Sequence, residues 1–305
     1  MINKIINNKI TFNFDSSFSV IIGLEPSKGA RSPILWNAAY EKFGLDINMH
    51  PLDVSEDSLE DLLIALKENS FFCGGAVAVP YKEKIINILK KFENSNISPE
   101  AIAIGAANSI YIDEKRNICA TNTDGESALK SLIENCNNLE DKNILLLGVG
   151  GAGKAVSTYI ANYLKNGKLN ISARKNQNSI EFIKSINAKY IDWPIENFDY
   201  SSVDIIINCT TLGSNTKSFK KMSPLIDKNL NEAEIFQGLK KGCILFDIIY
   251  DPLETYFLKI GRKNNFKTLN GLQMNLDQAV IAFNYASKFE YELEDISRAM
   301  SNISR

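Results

Sequence analysis

The 305-residue chain holds one histidine, His50, which rules out any site built on several imidazoles. Acid-base chemistry then falls to lysine and carboxylates. His50 itself lies in "INMHPLDV", which reads as a strand end, so its expected role is structural. Cysteine is sparse. Cys73, Cys119, Cys136, Cys209 and Cys243 are odd in number and show no paired spacing, which fits neither a disulfide framework nor a zinc site, and no metal is expected. A reducing cytoplasm is the expected location. No uninterrupted apolar stretch reaches membrane-spanning length, and the opening "MINKIINNKITFNFD" is too polar for a signal peptide, so no membrane partner is expected. Charge of either sign is not in excess: 34 Lys and Arg stand against 36 Asp and Glu, a net charge of -2. That balance leaves no electrostatic footprint for nucleic acid or an anionic surface. Repeats and low-complexity segments are also missing. With 45% hydrophobic and 23% charged residues, the remainder reads as an ordinary globular protein, long enough for two domains.

Strands and helices alternate along the chain. "FSVIIGL" (18–24) is a short apolar strand followed by a loop. "SPILWNAAYEKFG" then reads as a helix with Ser32 as N-cap, Pro33 at the first helical position and Gly44 as terminator. A second amphipathic helix is expected over 55–68, and "GGAVAVP" reads as a buried strand. Strands are expected over 106–113 and 117–125, and a helix over 126–134. The alternation then restarts, with strands at 143–148, 168–173, 203–207 and 243–248 and a helix at 151–164. Two C-terminal helices, 271–287 and 291–303, are expected to fold back on the first unit. Alternation of this kind predicts an α/β fold with mostly parallel sheets covered on both faces.

Two local patterns point to chemistry. "LLLGVGGAGKA" places Gly148, Gly150 and Gly153 in G-x-G-x-x-G order, after an apolar strand and before an amphipathic helix. In that context the glycines allow a tight turn, close approach of a pyrophosphate to the backbone, and close helix–strand packing. Gly151 and Ala152 lie in the same loop, at the helix N-terminus where the pyrophosphate would sit. About 20 residues on, an NAD site would place an acid on the ribose hydroxyls. "NISARKN" instead offers Arg174 and Lys175, which suit a 2′-phosphate and favour NADP. The second pattern is "AVAVPYKEK" (76–84), which puts Lys82 where a helix begins. The partial positive charge of a helix N-terminus disfavours a lysine there unless another function needs it.

Eight segments occur in one order: Ser32-Pro33, "VPYK" (79–82), "IGAANS" (104–109), "TNTDG" (121–125), "GVGGAGKA" (148–155), "INCTTLG" (207–213), "YDPLET" (250–255) and "GLQMNLDQA" (271–279). Together they resemble shikimate dehydrogenase. The resemblance implies an N-terminal α/β substrate domain, residues 1–117 completed by 270–305, and a Rossmann NADP-binding domain, 118–269, with a cleft between them. It implies Lys82 and Asp124 as the catalytic pair, and Ser32, Asn108, Tyr250 and Gln278 as substrate-binding residues. On the cofactor side it adds Thr210 and Gly271 to the glycine loop. The implied reaction is NADP-dependent interconversion of 3-dehydroshikimate and shikimate by a monomer or homodimer.

Three positions depart from the family pattern. Ala30 replaces the first serine of an S-x-S-P carboxylate clamp, and Ala76 and Ala78 replace an asparagine and a threonine that line the pocket. These losses favour a second reading, a paralogue acting on quinate, an amino analogue or another cyclic hydroxy acid. Lys28 and Arg31, in the loop before Ser32, are the candidate replacement anchors for the carboxylate. A third reading, an NADP-binding regulatory protein without turnover, is opposed by retention of Lys82 and Asp124. "TNTDG" and "DPLET" oppose methylenetetrahydrofolate dehydrogenase, which has a similar two-domain plan.

Overall fold

The computed structural model describes residues 2–215 and 222–302. The chain forms two compact units, Met1–Thr123 with Leu276–Arg305, and Asp124–Asn275. In the first unit the elements run β1 (Phe18–Gly23), α1 (Ser32–Lys42), β2 (Asn48–Asp53), α2 (Leu59–Glu68), β3 (Phe72–Val77), α3 (Lys84–Leu89), β4 (Asn96–Ile97), α4 (Pro99–Ile104), β5 (Ser109–Ile112) and β6 (Ile118–Thr121). The sheet order is β2-β1-β3-β5-β6-β4. It is mostly parallel, and only β5 runs against its neighbours. Alternate residues of β1 serve opposite faces. Phe18, Val20 and Ile22 join one core with α2 and α3, while Ile21 joins the other with Leu35, Trp36 and Phe283.

The second unit contains α5 (Asp124–Asn135), β7 (Asn143–Leu147), α6 (Gly151–Tyr163), β8 (Lys168–Ala173), α7 (Gln177–Ser185), β9 (Lys189–Asp192), β10 (Ile205–Asn208), α8 (Glu232–Gly238), β11 (Ile244–Asp247), α9 (Tyr256–Lys263) and β12 (Lys267–Leu269). Its six strands, ordered β12-β11-β10-β7-β8-β9, are all parallel. Counted from β7 this is the 3-2-1-4-5-6 order of a doubly wound dinucleotide-binding sheet, with the order reversing between β7 and β10. Ile144 and Leu146 face one core and Leu145 and Leu147 the other, as expected of strands buried on both sides. The last helices are α10 (Leu272–Ala286) and α11 (Leu293–Ser301). Residues of α10 from Leu276 onward and α11 pack with α1 in the first unit, where Trp36 meets Phe283 edge-on at 5.3 Å.

Several local expectations are corrected. Ser32 is not the N-cap: the backbone is already helical at Arg31, which caps without a side-chain bond, so Ser32 is the first helical residue. Gly44 does end the helix, at φ +68°. His50 lies inside β2, half-buried, its ring stacked on Phe12 at 4.4 Å, and burial lowers its pKa. Lys82 precedes α3, in a turn that follows β3.

Candidate functional site

In the first unit, sheet pairing brings distant polar residues together. Asn108 directly precedes β5, and its backbone N–H donates to Thr121 O at 3.2 Å. Its side chain is nearly fully buried, so its polar atoms need partners. Thr123 N donates to Asn108 Oδ1 at 2.8 Å, and Asn108 Nδ2 donates to Thr123 Oγ1 at 2.9 Å and to Gln278 Oε1 at 3.2 Å. Thr123 Oγ1 completes the cluster by donating to Gln278 O at 3.0 Å. These bonds decide which end of each amide faces which neighbour. Lys82 joins through its backbone, its carbonyl accepting from Ala107 N at 2.8 Å. Two predicted residues, Asn108 and Gln278, are thus in direct contact, and Lys82 is tied to the residue preceding Asn108. Thr123 was missed, although it lies inside the "TNTDG" segment. The signal was a hydroxyl between two polar residues, Asn122 and Asp124, just after a strand.

The loop before α1 is anchored by Asp53 at the end of β2. Its carboxylate accepts from Ser27 N at 2.9 Å and from Ser27 Oγ at 2.5 Å. Lys28 in this loop pairs with Glu25 at 2.5 Å, both well exposed, whereas Arg31 is half-buried beside the buried Ser32. Ala76 is buried, and Ala30 and Ala78 pack half-buried against the same apolar core. Opposite Ala76 in the β3/β5 register is Ser109, whose Oγ is buried with no hydrogen-bond partner.

The second unit carries the glycine loop. Gly148 has φ +95°, and a Cβ there would come within 2.8 Å of Thr210 Cγ2. Gly153 packs so closely that a Cβ would lie 2.2 Å from Gly148 O. Gly150 differs from both. A Cβ on it meets nothing within 4 Å, and it caps α6 with no side-chain cap bond. The 13-residue α6 has no acidic residue in its first turn, so its N–H groups and dipole suit an anion. Gly151 and Ala152 open the helix half-buried. Gly148 N donates to Ser172 O near the end of β8, and the exposed Arg174 and Lys175 follow that strand. These residues fit a dinucleotide with a 2′-phosphate.

Across the β7/β10 switch point, Thr210 is held by Asn208, whose Oδ1 accepts from Thr210 N at 2.9 Å and from Thr210 Oγ1 at 2.7 Å. Gly271 N donates to Ile249 O at 3.0 Å, next to the half-buried Tyr250. Asp124, buried, is the first residue of α5. Burial foremost, then the nearby Asp247 and Asp124, pushes the Cys209 thiol well above its ordinary pKa. Asn208, Asp247 and Thr255 were not expected as functional residues. The available signal was an aspartate closing the apolar run "CILFD".

The family model of the shikimate dehydrogenase substrate binding domain matches residues 21–110. A shikimate dehydrogenase (NADP(+)) of Methanococcus maripaludis is 34% identical over 280 residues, 88% of this chain and 92% of its own length. Another, of Methanococcus vannielii, is 31% identical over 298 residues, 94% of this chain and 98% of its own. A crystal structure of a shikimate dehydrogenase in complex with NADP+ superposes with a TM-score of 0.79 at 28% identity, covering 97% of this chain and 98% of that one.

Proposed function

The chain belongs to the shikimate dehydrogenase family, and we propose that it interconverts 3-dehydroshikimate and shikimate with NADP, Lys82 and Asp124 forming its acid-base pair. The observation that carries this reading is the Asn108–Thr123–Gln278 cluster. It presents hydroxyl-pairing amides at the place where the backbone of Lys82 is fastened and where the chain continues directly into Asp124. Bound NADP supplies or accepts the hydride. Lys82 gives a proton to the developing alkoxide during reduction, and its charge stabilises that oxygen. Asp124 orients the ammonium. Asn108 and Gln278 orient the ring hydroxyls, Ser32 contacts the carboxylate, and Tyr250 is a further substrate contact. Gly148, Gly150, Gly151, Ala152 and Gly153 would cradle the pyrophosphate, Arg174 and Lys175 would meet the 2′-phosphate, and Thr210 and Gly271 would add further contacts to the cofactor. We place the enzyme in the cytoplasm, as a monomer or homodimer, supplying precursors of aromatic amino acids. All five cysteines are unbridged, which agrees with a reducing compartment.

Ala30, Ala76 and Ala78 favour a second reading, a related cyclic hydroxy acid as the preferred substrate. The unpaired Ser109 Oγ opposite Ala76 supports it, because a polar residue at position 76 would complete that pair. Purified protein mixed with NADP+ and a panel of shikimate, quinate and amino analogues tests both readings through the absorbance of reduced cofactor. Shikimate is expected to turn over, and better with NADP+ than with NAD+. Faster turnover of another panel member establishes the second reading. Tight NADP binding without turnover of any member refutes both.

A further inference from the structure

Asp247 ends β11, opposite Asn208 in the strand register, and is fully buried. Its Oδ1 accepts from Asn208 Nδ2 at 3.0 Å and from Ile249 N at 3.0 Å, and its Oδ2 accepts from Thr255 Oγ1 at 2.7 Å. Three donors from two segments therefore converge on one carboxylate. Through Asn208 it reaches Thr210, and also Leu212, whose carbonyl accepts from Asn208 Nδ2 at 3.1 Å. Thr210 in turn fills the space above Gly148. Through Ile249, whose carbonyl accepts from Gly271 N, it holds the residue before Tyr250. Through Thr255 it fastens the N-cap of α9, and Thr255 packs on Gly213, where a Cβ would lie 3.2 Å from Thr255 Cβ.

We propose that Asp247 is the positioning residue of the cofactor side, setting loops 208–213 and 249–255 in register with the glycine turn. The proposal rests on the reading of this unit as the NADP site. The Asp247 carboxylate hydrogen-bonds to Asn208 of the first loop and to Ile249 and Thr255 of the second, and none of these three partners is cationic. A buried carboxylate without a cation is costly, and here three hydrogen bonds offset that cost. Burial pushes its pKa up to about 6, against the lowering effect of Thr255, Ile249 and Asn208. The titratable side chain facing it is Cys209, itself faced by Asp124, and neither brings positive charge. A neutral Asp247 makes weaker bonds to Asn208 and Ile249 than the carboxylate does.

The test is NADPH affinity of Asp247→Asn by fluorescence titration, with circular dichroism to establish folding. The cofactor's 2′-phosphate titrates near pH 6 as well, so the quantity read is the ratio of variant to wild-type Kd. The expected ratio is about tenfold at about pH 7.5, from loops displaced by a fraction of an ångström, falling toward one below about pH 5.5 as wild-type Asp247 is neutralised. A folded variant with wild-type affinity, or a ratio independent of pH, overturns the proposal. Should Asp247→Asn not fold, Thr255→Val carries the test. It removes one donor to the anion, so NADPH binding is expected to weaken a few-fold and the pH midpoint of the ratio to move upward; unchanged affinity and midpoint overturn the proposal. A wild-type protein that binds no NADPH would instead refute the reading of the unit.

Discussion

Replacing Gly150 by alanine separates folding from cofactor binding. Gly150 has φ -71° and ψ -175°, ordinary extended backbone, and a Cβ there meets nothing within 4 Å. Two terms of opposite sign act on stability. Alanine restricts the unfolded chain, which stabilises by about 0.4 to 1 kcal/mol. It is also a poorer N-cap than glycine, which destabilises by roughly 0.5 to 1 kcal/mol. The net change should stay within about 1 kcal/mol, or roughly 2 to 4 °C in Tm for a domain of this size. Binding has no such cancellation. On the proposed reading, the added methyl would occupy the space through which phosphate oxygens approach the first N–H groups of α6, and each lost charge-assisted bond would cost about 1.5 to 3 kcal/mol. NADPH affinity should therefore fall by about ten- to a hundredfold per bond lost. Differential scanning fluorimetry and fluorescence titration on one preparation measure both quantities. Wild-type NADPH affinity in a well-folded Gly150→Ala would show that no phosphate approaches here.

Lys82→Ala should lower turnover by at least about a hundredfold while NADPH affinity is kept; near-normal turnover would return Lys82 to a structural role. Arg174→Ala should weaken NADP by about ten- to a hundredfold and leave NAD nearly unchanged in calorimetric titration, and equal losses would refute the 2′-phosphate contact. Ala30→Ser, Ala76→Asn and Ala78→Thr together should raise kcat/KM for shikimate, by as much as about 1 to 3 kcal/mol for each contact formed; a loss of activity would mean the alanine wall is already a competent shikimate site. With Lys28 engaged by Glu25, Arg31→Ala should raise the KM for shikimate more than Lys28→Ala does in steady-state assays, and equal effects would remove Arg31 as the carboxylate anchor.

The glycine loop was legible from residues 143 to 164 alone, because each requirement there is local. An apolar strand, a positive-φ turn at Gly148 and a close helix crossing at Gly153 are written in consecutive residues. Most strand and helix positions were legible for the same reason, since side-chain period and backbone torsions depend on near neighbours. Gly44 as a helix terminator belongs with them. The N-cap of α1 and the start of α3 were displaced by one or two residues, because turns on either side compete for the same backbone donors. Tertiary structure alone decided the rest. The direction of β5 depends on which strands close beside β3, a question no local pattern answers. Asn108 meets Gln278 across 170 residues, and Thr123 meets it across 155, because sheet closure and the return of α10 bring them to one place. In the sequence, Asp247 is only an aspartate within the expected strand 243–248. Its three donors come from one loop and a neighbouring strand, so a carboxylate held without a cation became visible only when β10 and β11 were laid side by side.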